Sequence, residues 1–519
     1  MSRKALINLI AIFLVLALVG GVFAASRYYV NLPENLSQHE TIVLGQNRFV
    51  PGSEAAMRVI VRDSKDGAPL EGAEIEIGMR PADGGKTIIV FSGETDSKGT
   101  TNVSFEVPDE VEPNQTLIIE TKSSLGSDTV ERPVTVDREY RVLLTTDKPI
   151  YQPGQIIHVR ALALSDFDLI PAANQSLEII IADGKGNKVF RDTLTTSDFG
   201  VAAVDFQLAS EVSTGNYKIT TELGNVSSEK TVVVEHYVLP KFDVKIETLE
   251  TFYLPGERVE GTLRANYFYG KPVAGGEVLL EGYIFDVERV VTVSLQGITD
   301  EDGNFEFGFV LPEYIAGSDL EGGLGRFYLQ ASLTDLAQHT EIKNASLPVS
   351  GSALVIDAIP EGGQFRPGVE NILYVLTSYP DGSPAETDLT LTFYIDESVI
   401  EAQTGGFGLA EIVYAPTEPW QNFRIDASDA MGNHATREFY FEGMWYDETV
   451  LLRPDKPVYR VGDTMNLTIL TSQPAGTVYL DIVREGQTVS TRSIDVEAGQ
   501  AVVPVDLSPD MYGTLELHA

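Results

Sequence analysis

Five aromatic corners set the frame of this chain. Each reads aromatic-x-(Pro or Val)-Gly and runs into a strand. They are FVPGSEAAMRVIV from Phe49, YQPGQIIHVRALAL from Tyr151, YLPGERVEGTLRA from Tyr253, FRPGVENILYVLT from Phe365 and YRVGDTMNLTIL from Tyr459. Their glycines, Gly52, Gly154, Gly256, Gly368 and Gly462, are 102, 102, 112 and 94 residues apart. A second element, seen in DGAPLEGAEIEIGM, YGKPVAGGEVLLEGY and DGSPAETDLTLTFY, reads as turn, proline, small residues and an alternating strand. A third is a polar turn closed by glycine: TDSKGTTNVSFEV, TSDFGVAAVDFQL, TDEDGNFEFGFVL and TGGFGLAEIVY. Gly99, Gly200 and Gly303 follow their corners by 47, 46 and 47 residues. Features in fixed order at near-fixed spacing define a repeat.

A period near 100 residues is too long for a solenoid unit and fits one β-sandwich. Runs such as IIHVRALAL, LEIIIAD, NYKITTEL, KTVVVEHYV and NFEFGFVL are rich in β-branched and aromatic residues and bounded by turn formers. SLEIIIADGKGNKVFRDTLTT reads as a hairpin turning at Asp183–Asn187. Helical periodicity is scarce after residue 26. The pattern predicts an all-β array of about five seven-stranded, fibronectin III- or Ig-like sandwiches over 38–137, 138–237, 238–350, 351–447 and 448–519, after an N-terminal apolar helix within 1–26. The fifth has six recognisable strands, so its final strand is expected to be absent.

One phrase occurs twice: TTDKPIYQPGQ from Thr145 and RPDKPVYRVGD from Arg453. The copies stand three periods apart, at the entrances of the second and fifth sandwiches. A proline cannot donate to a ladder and suits a strand start, and Gly154 and Gly462 allow a sharp turn. The phrase reads as architecture, not as an active site.

The chain has 37 basic and 76 acidic residues, a net charge of −39, which argues against nucleic acid as a partner. A solvated acidic surface is the first reading, with calcium sites or a salty habitat as alternatives. The absence of cysteine excludes disulfides, thiolate metal sites and a cysteine nucleophile. Arg3 and Lys4 precede the apolar run of residues 5–25. This is either a cleaved signal, with Val22 and Ala24 suitably spaced, or a membrane anchor that is the chain's only contact with the bilayer. Both place residues 27–519 outside the cell, secreted or on the outer face of the membrane. Asn-x-Ser/Thr occurs at Asn35, Asn102, Asn114, Asn174, Asn225, Asn344 and Asn466. Chance gives about two or three such sites, so they are candidate glycosylation positions or ordinary polar residues.

The six histidines, His39, His158, His236, His339, His434 and His518, are scattered singly, with no His-Glu-x-x-His. His236 reads as a packed linker residue. No Gly-x-Ser-x-Gly elbow or phosphate-binding Gly-Lys-Ser/Thr loop occurs, and no cofactor is implied. Asp300, Glu301 and Asp302 could belong to a calcium loop, but they read first as a hairpin turn, as do Asp66 and Asp381.

LLTTDKPIYQPGQIIHVRALAL resembles the start of the second macroglobulin domain in the alpha-2-macroglobulin and complement thioester-protein family. ADGKGNKVFRD and TGNYKITTE resemble that domain's interior, and VVVEHYVLPKFDVKIE its junction with the third. The matching positions are Asp147, Lys148, Pro149, Tyr151, Pro153 and Gly154, then Tyr237, Leu239, Pro240 and Phe242, all in structural roles. The resemblance is strong over 138–260 and follows the repeat register over 38–519. It implies the first five macroglobulin domains. The family's larger members trap proteases, many through a thioester that needs Cys-Gly-Glu-Gln, which this chain lacks. The resemblance therefore implies a non-enzymatic N-terminal scaffold, with proteases as targets and the C-terminal part of a longer macroglobulin as partner. The alternative is a non-inhibitory surface stalk or adhesion array built from the same sandwiches.

Overall fold

The computed structural model describes residues 18, 20–22, 26–27, 38–236, 239–315, 323–444 and 448–519. Among them the regular secondary structure is almost entirely strand, organised as five sandwiches in series. No described helix is long and apolar enough to cross a membrane. Within the apolar run of residues 5–25 only Leu18 and Gly20–Val22 are described, and they are helical. The rest of the expected signal or anchor lies outside the described residues.

The second sandwich shows the plan. Its smaller sheet has the order Val201–Gln207, Ile156–Ser165, Tyr140–Thr146. Its larger sheet has the order Ile150–Tyr151, Val226–Val234, Gly215–Leu223, Ser176–Ala182, Lys188–Thr195. All pairings are antiparallel except the short corner strand Ile150–Tyr151, which runs parallel to Val233–Val234. Period-two alternation separates the two faces of each strand: in IIHVRALALS the residues Ile157, Val159, Ala161 and Ala163 face inward and are buried, and His158 and Arg160 face water. The two inner faces meet in one apolar core.

Each corner aromatic caps such a core. Phe49, Tyr151, Tyr253 and Phe365 are all buried. The following glycine has positive φ in all five copies, from +69° to +92°, a backbone region that disfavours side chains. Its N–H donates to a carbonyl just past the end of a neighbouring strand: Val107, Ala209, Pro312, Pro416 and Leu507 in turn, at 2.8–3.2 Å.

The fifth sandwich departs from the plan. Its described strands are Val450–Pro454, Thr464–Thr471, Ala475–Arg484, Gln487–Glu497, Gln500–Asp506 and Leu515–His518. They form two three-stranded halves, Val450–Pro454, Thr464–Thr471, Gln500–Asp506 and Gln487–Glu497, Ala475–Arg484, Leu515–His518, joined only through the pairing of Glu497 with Gln500, and Leu515–His518 lies at an edge. In the first four sandwiches the corresponding strand has a neighbour on both sides.

Candidate functional site

The repeated phrase folds into the same hydrogen-bonded knot in both copies. In the second sandwich the Tyr151 hydroxyl donates to Asp147 Oδ1 and accepts from the Lys148 N–H at 3.1 Å. Asp147 Oδ1 also accepts from the His158 N–H at 3.2 Å. In the fifth, Tyr459 donates to Asp455 Oδ1 at 2.7 Å, the Lys456 N–H reaches Tyr459 Oη at 2.8 Å, and the Asn466 N–H reaches Asp455 Oδ1 at 2.9 Å. The proline holds the turn, the tyrosine carries its ring inward, and the aspartate satisfies a hydroxyl that the ring drags toward the core. Burial, reinforced by Asp147, pushes the Tyr151 hydroxyl up to about 12. Burial opposes ionisation of Asp147, but the bonds from Tyr151 and His158 outweigh it and hold the carboxyl below its ordinary value.

Of the other motif positions, Phe242 is buried at the start of the third sandwich, whereas Leu239 is 70% exposed. Pro240 is exposed, and Tyr237 lies outside the described residues. His236 is exposed, which corrects the expectation of a packed linker residue: the last buried side chain of its sandwich is Val234, two residues earlier. Asn102, Asn114, Asn174, Asn225, Asn344 and Asn466 are exposed, and Asn35 lies outside the described residues. Asp300 spends its carboxylate inside its own turn, accepting from the N–H groups of Asp302 at 2.9 Å and Asn304 at 2.8 Å. Asp66 and Asp381 make the same turn bond to Ala68 and Ser383. The histidines sit apart: His39 bonds Ser123 and Thr121, His158 bonds Asp205, and His339 bonds Asp335. Among the described residues no three His, Asp or Glu converge as metal ligands would.

What side-chain geometry does assemble is a joint between the first, second and fifth sandwiches. Arg58 lies on the outward face of Glu54–Asp63 in the first sandwich, yet is only 1% exposed. Its guanidinium donates to Ser493 Oγ at 2.9 Å, to the Arg492 carbonyl at 3.1 Å and to Thr491 Oγ1, all in the fifth sandwich. It also reaches Asn102 Oδ1 at 3.0 Å and Asp481 at 3.5 Å, and lies 4.4 Å from the centre of the Tyr479 ring. A buried cation needs such partners, and arginine's planar fork meets them through both terminal nitrogens, while its Nε stays buried without one. Gln487 adds a second tie: its Oε1 accepts from the Val50 N–H, and its Nε2 donates to Ser53 Oγ and the Glu54 carbonyl. Lys98 pairs with Asp495. Arg484 stacks between Phe167 of the second sandwich and Tyr512 of the fifth, at 4.0 and 4.3 Å. Arg138 ties the first sandwich to the second through the Pro51 carbonyl at 2.7 Å and Asp168 at 3.1 Å. These contacts bridge up to 437 residues of sequence.

Sequence reasoning missed this joint. An arginine at an outward strand position looks solvent-facing, and nothing local marks it as covered.

The MG2 domain family model matches residues 141–234, and the macroglobulin domain MG3 model matches residues 236–314. Alpha-2-macroglobulin of Thermotoga maritima is 26% identical over 339 residues, 64% of this chain and 21% of that protein. Ovostatin of Gallus gallus is 32% identical over 192 residues, 36% of this chain and 13% of that protein. Among solved structures, trypsin-activated alpha-2-macroglobulin from Escherichia coli aligns with 92% of this chain and 36% of its own, at 14% identity and a TM-score of 0.43. The chain thus spans about a fifth or less of the length of these two curated relatives.

Proposed function

Because this chain is a relative of the alpha-2-macroglobulins that carries MG2 and MG3 domains, we propose that it is the N-terminal scaffold of an extracellular protease trap. The observation that carries this reading is the MG2 match followed directly by MG3, in the second and third of five like sandwiches. The chain contributes rigid bodies and joints, with proteases as targets and the remainder of a macroglobulin as partner. Its chemistry is binding: the repeated motif is consumed by its own knot and the histidines stand apart. The basic-then-apolar N-terminus supports export, and exposed Asn102, Asn114, Asn174, Asn225, Asn344 and Asn466 are candidate glycan sites. A stalk or adhesion array is the alternative. It asks for an extended chain, and the Arg58 and Gln487 ties draw the first and fifth sandwiches together, which supports the scaffold reading.

The test uses the full gene product with trypsin, assayed on a protein substrate and on a small peptide substrate. Cleavage of the protein should fall while cleavage of the small peptide persists. Equal inhibition of both, or of neither, sinks the trap. Residues 27–519 alone should hydrolyse no peptide and form no covalent adduct on denaturing electrophoresis. Arg58→Ala, by stripping a buried network, should weaken the joint by about 3 kcal/mol and speed hydrogen exchange over 487–495.

A further inference from the structure

The joint between the first and fifth sandwiches has a register that can be followed through the other repeats. In the first sandwich Arg58 pairs across the smaller sheet with Asn102. Lys98 precedes Gly99, whose carbonyl accepts from the Val61 N–H at 2.7 Å. In the second, Arg160 pairs with Ala203, and Phe199 precedes Gly200, whose carbonyl accepts from the Ala163 N–H at 2.8 Å. Arg160 and Phe199 are therefore the counterparts of Arg58 and Lys98. The arginine position holds Thr262 in the third sandwich, Tyr374 in the fourth and Thr468 in the fifth, so the second alone repeats it. Arg58 is 1% exposed beneath the fifth sandwich, whereas Arg160 is exposed and Phe199 is 76% exposed.

The hairpin that covers Arg58 has a close counterpart in the third sandwich. In the fifth, Ala475–Arg484 and Gln487–Glu497 pair Asp481 with Thr491, Tyr479 with Ser493 and Thr477 with Asp495, and a bulge follows Ile482. In the third, Glu277–Asp286 and Glu288–Ile298 pair Glu281 with Ser294, Leu279 with Gln296 and Glu277 with Ile298, and a bulge follows Gly282. Asp481, Thr491, Ser493 and Asp495, which hold Arg58 and Lys98, thus correspond to Glu281, Ser294, Gln296 and Ile298. The ion pair Lys98–Asp495 is replaced by Phe199 on one side and Ile298 on the other. The arginine and its carboxylate are kept, as Arg160 and Glu281. Ile298 is 65% exposed, and Ser294 and Gln296 are exposed, so the two faces do not meet within one chain.

We infer that the outer face of the smaller sheet in the second sandwich is a docking site for the Glu277–Ile298 hairpin of the third sandwich in a second copy of this chain. Arg160 reaches Glu281, Ser294 and Gln296, as Arg58 reaches Asp481, Thr491 and Ser493. Phe199 lies against Ile298, where Lys98 pairs with Asp495. Charge complementarity and apolar contact select the same register. Each chain carries both faces, so two copies make the contact twice and close as a dimer. The other charges of the two faces are accommodated. His158 bonds Asp205, and Arg141 pairs with Asp166. Arg289 donates to Glu281 Oε2 at 2.8 Å, which leaves Oε1 for Arg160. Glu277 corresponds to Thr477, which is half-exposed in its own joint, so its carboxylate keeps its water. The net charge of −39 opposes association, and salt relieves that repulsion.

The test is sedimentation velocity of the full chain from about 1 to about 100 μM in about 0.5 M NaCl, where charges are screened within about 4 Å. A reversible dimer should form. Phe199→Lys alone and Ile298→Asp alone should each weaken it at least about tenfold. The two together in one chain re-create the Lys98–Asp495 pair and should restore the dimer to within about threefold of the unaltered chain. Arg160→Ala should weaken it at least about tenfold. All three positions are exposed, so the variants leave each sandwich folded. A chain that stays monomeric throughout overturns the assignment. So does a dimer that Phe199→Lys leaves unchanged, or a double variant no tighter than the single ones. Phe407, 92% exposed, is the counterpart of Phe199 in the fourth sandwich. A dimer weakened by Phe407→Lys and not by Phe199→Lys also overturns the assignment, because the fourth sandwich would then be the seat.

Discussion

The second and fifth sandwiches begin with the same phrase and arrive at different interiors. The knot of aspartate, tyrosine and backbone amides is the same in both, atom for atom. Yet Tyr151 is sealed in its core and Tyr459 is half-exposed. Eighteen buried apolar residues form the second core and nine the fifth, where ten more are only partly covered. The closing turn differs in the same sense. A methyl group on Gly200 would lie 2.2 Å from the Ala163 carbonyl oxygen, whereas on Gly499, its counterpart, the nearest atom is the Thr471 oxygen at 3.2 Å. Local chemistry makes the knot, and the strand that lies across it makes the core.

The largest consequence is in stability. The slowest amides of residues 450–518 should exchange roughly a thousandfold faster than those of 140–234, a difference of about 4 kcal/mol. Equal protection would erase the contrast.

Truncating the corner ring sharpens it. Tyr151→Ala should cost about 4 kcal/mol and Tyr459→Ala only about 1–2, read by denaturant titration of each segment's exchange. Matching losses would mean that Tyr459 is covered after all.

Smaller again is the turn. Gly200→Ala forces a methyl group onto a carbonyl at φ +70° and should cost about 3 kcal/mol, whereas Gly499→Ala, at φ +79° with more room, should cost about 1–2. A larger loss at Gly499 would contradict the looser packing of the fifth sandwich.

The smallest effect concerns acid. Asp147 and Asp455 are both held below the ordinary carboxylate value, Asp455 chiefly by the Tyr459 hydroxyl. Each therefore adds stability that is fully present above the unfolded value of about 3.9 and is lost as pH falls through the lower folded value. Asp147→Asn and Asp455→Asn should flatten the acid limb in their own sandwiches and change nothing between pH 5 and 8. A change confined to neutral pH would show that these carboxylates do not titrate as their partners require.

Much of the fold was legible because its determinants are local. The corners Phe49-x-x-Gly52 to Tyr459-x-x-Gly462 announce themselves, since only glycine enters that backbone region freely. The hairpin at Asp183–Asn187 and the turn at Asp300 were readable for the same reason. Gly499 escaped notice because GQAVVPV carries no polar turn before its glycine; its carbonyl nonetheless accepts from the Thr471 N–H at 2.8 Å, as that of Gly200 does from Ala163. His236 was misread because a linker residue's burial depends on where its neighbours lie.

The sequence alone determined the strand period, the turns and the tyrosine–aspartate knot, because each is settled within about a dozen neighbouring residues by backbone sterics and short hydrogen bonds. Only the tertiary structure decided that Arg58 is buried, that Gln487 reaches Val50, and that Tyr459 looks onto an open hollow while Tyr151 does not. The physical reason is that an alternating strand separates its two faces but carries no mark of what will cover the outer one. That is settled by surfaces more than 400 residues away in sequence, or by the strand laid along an edge.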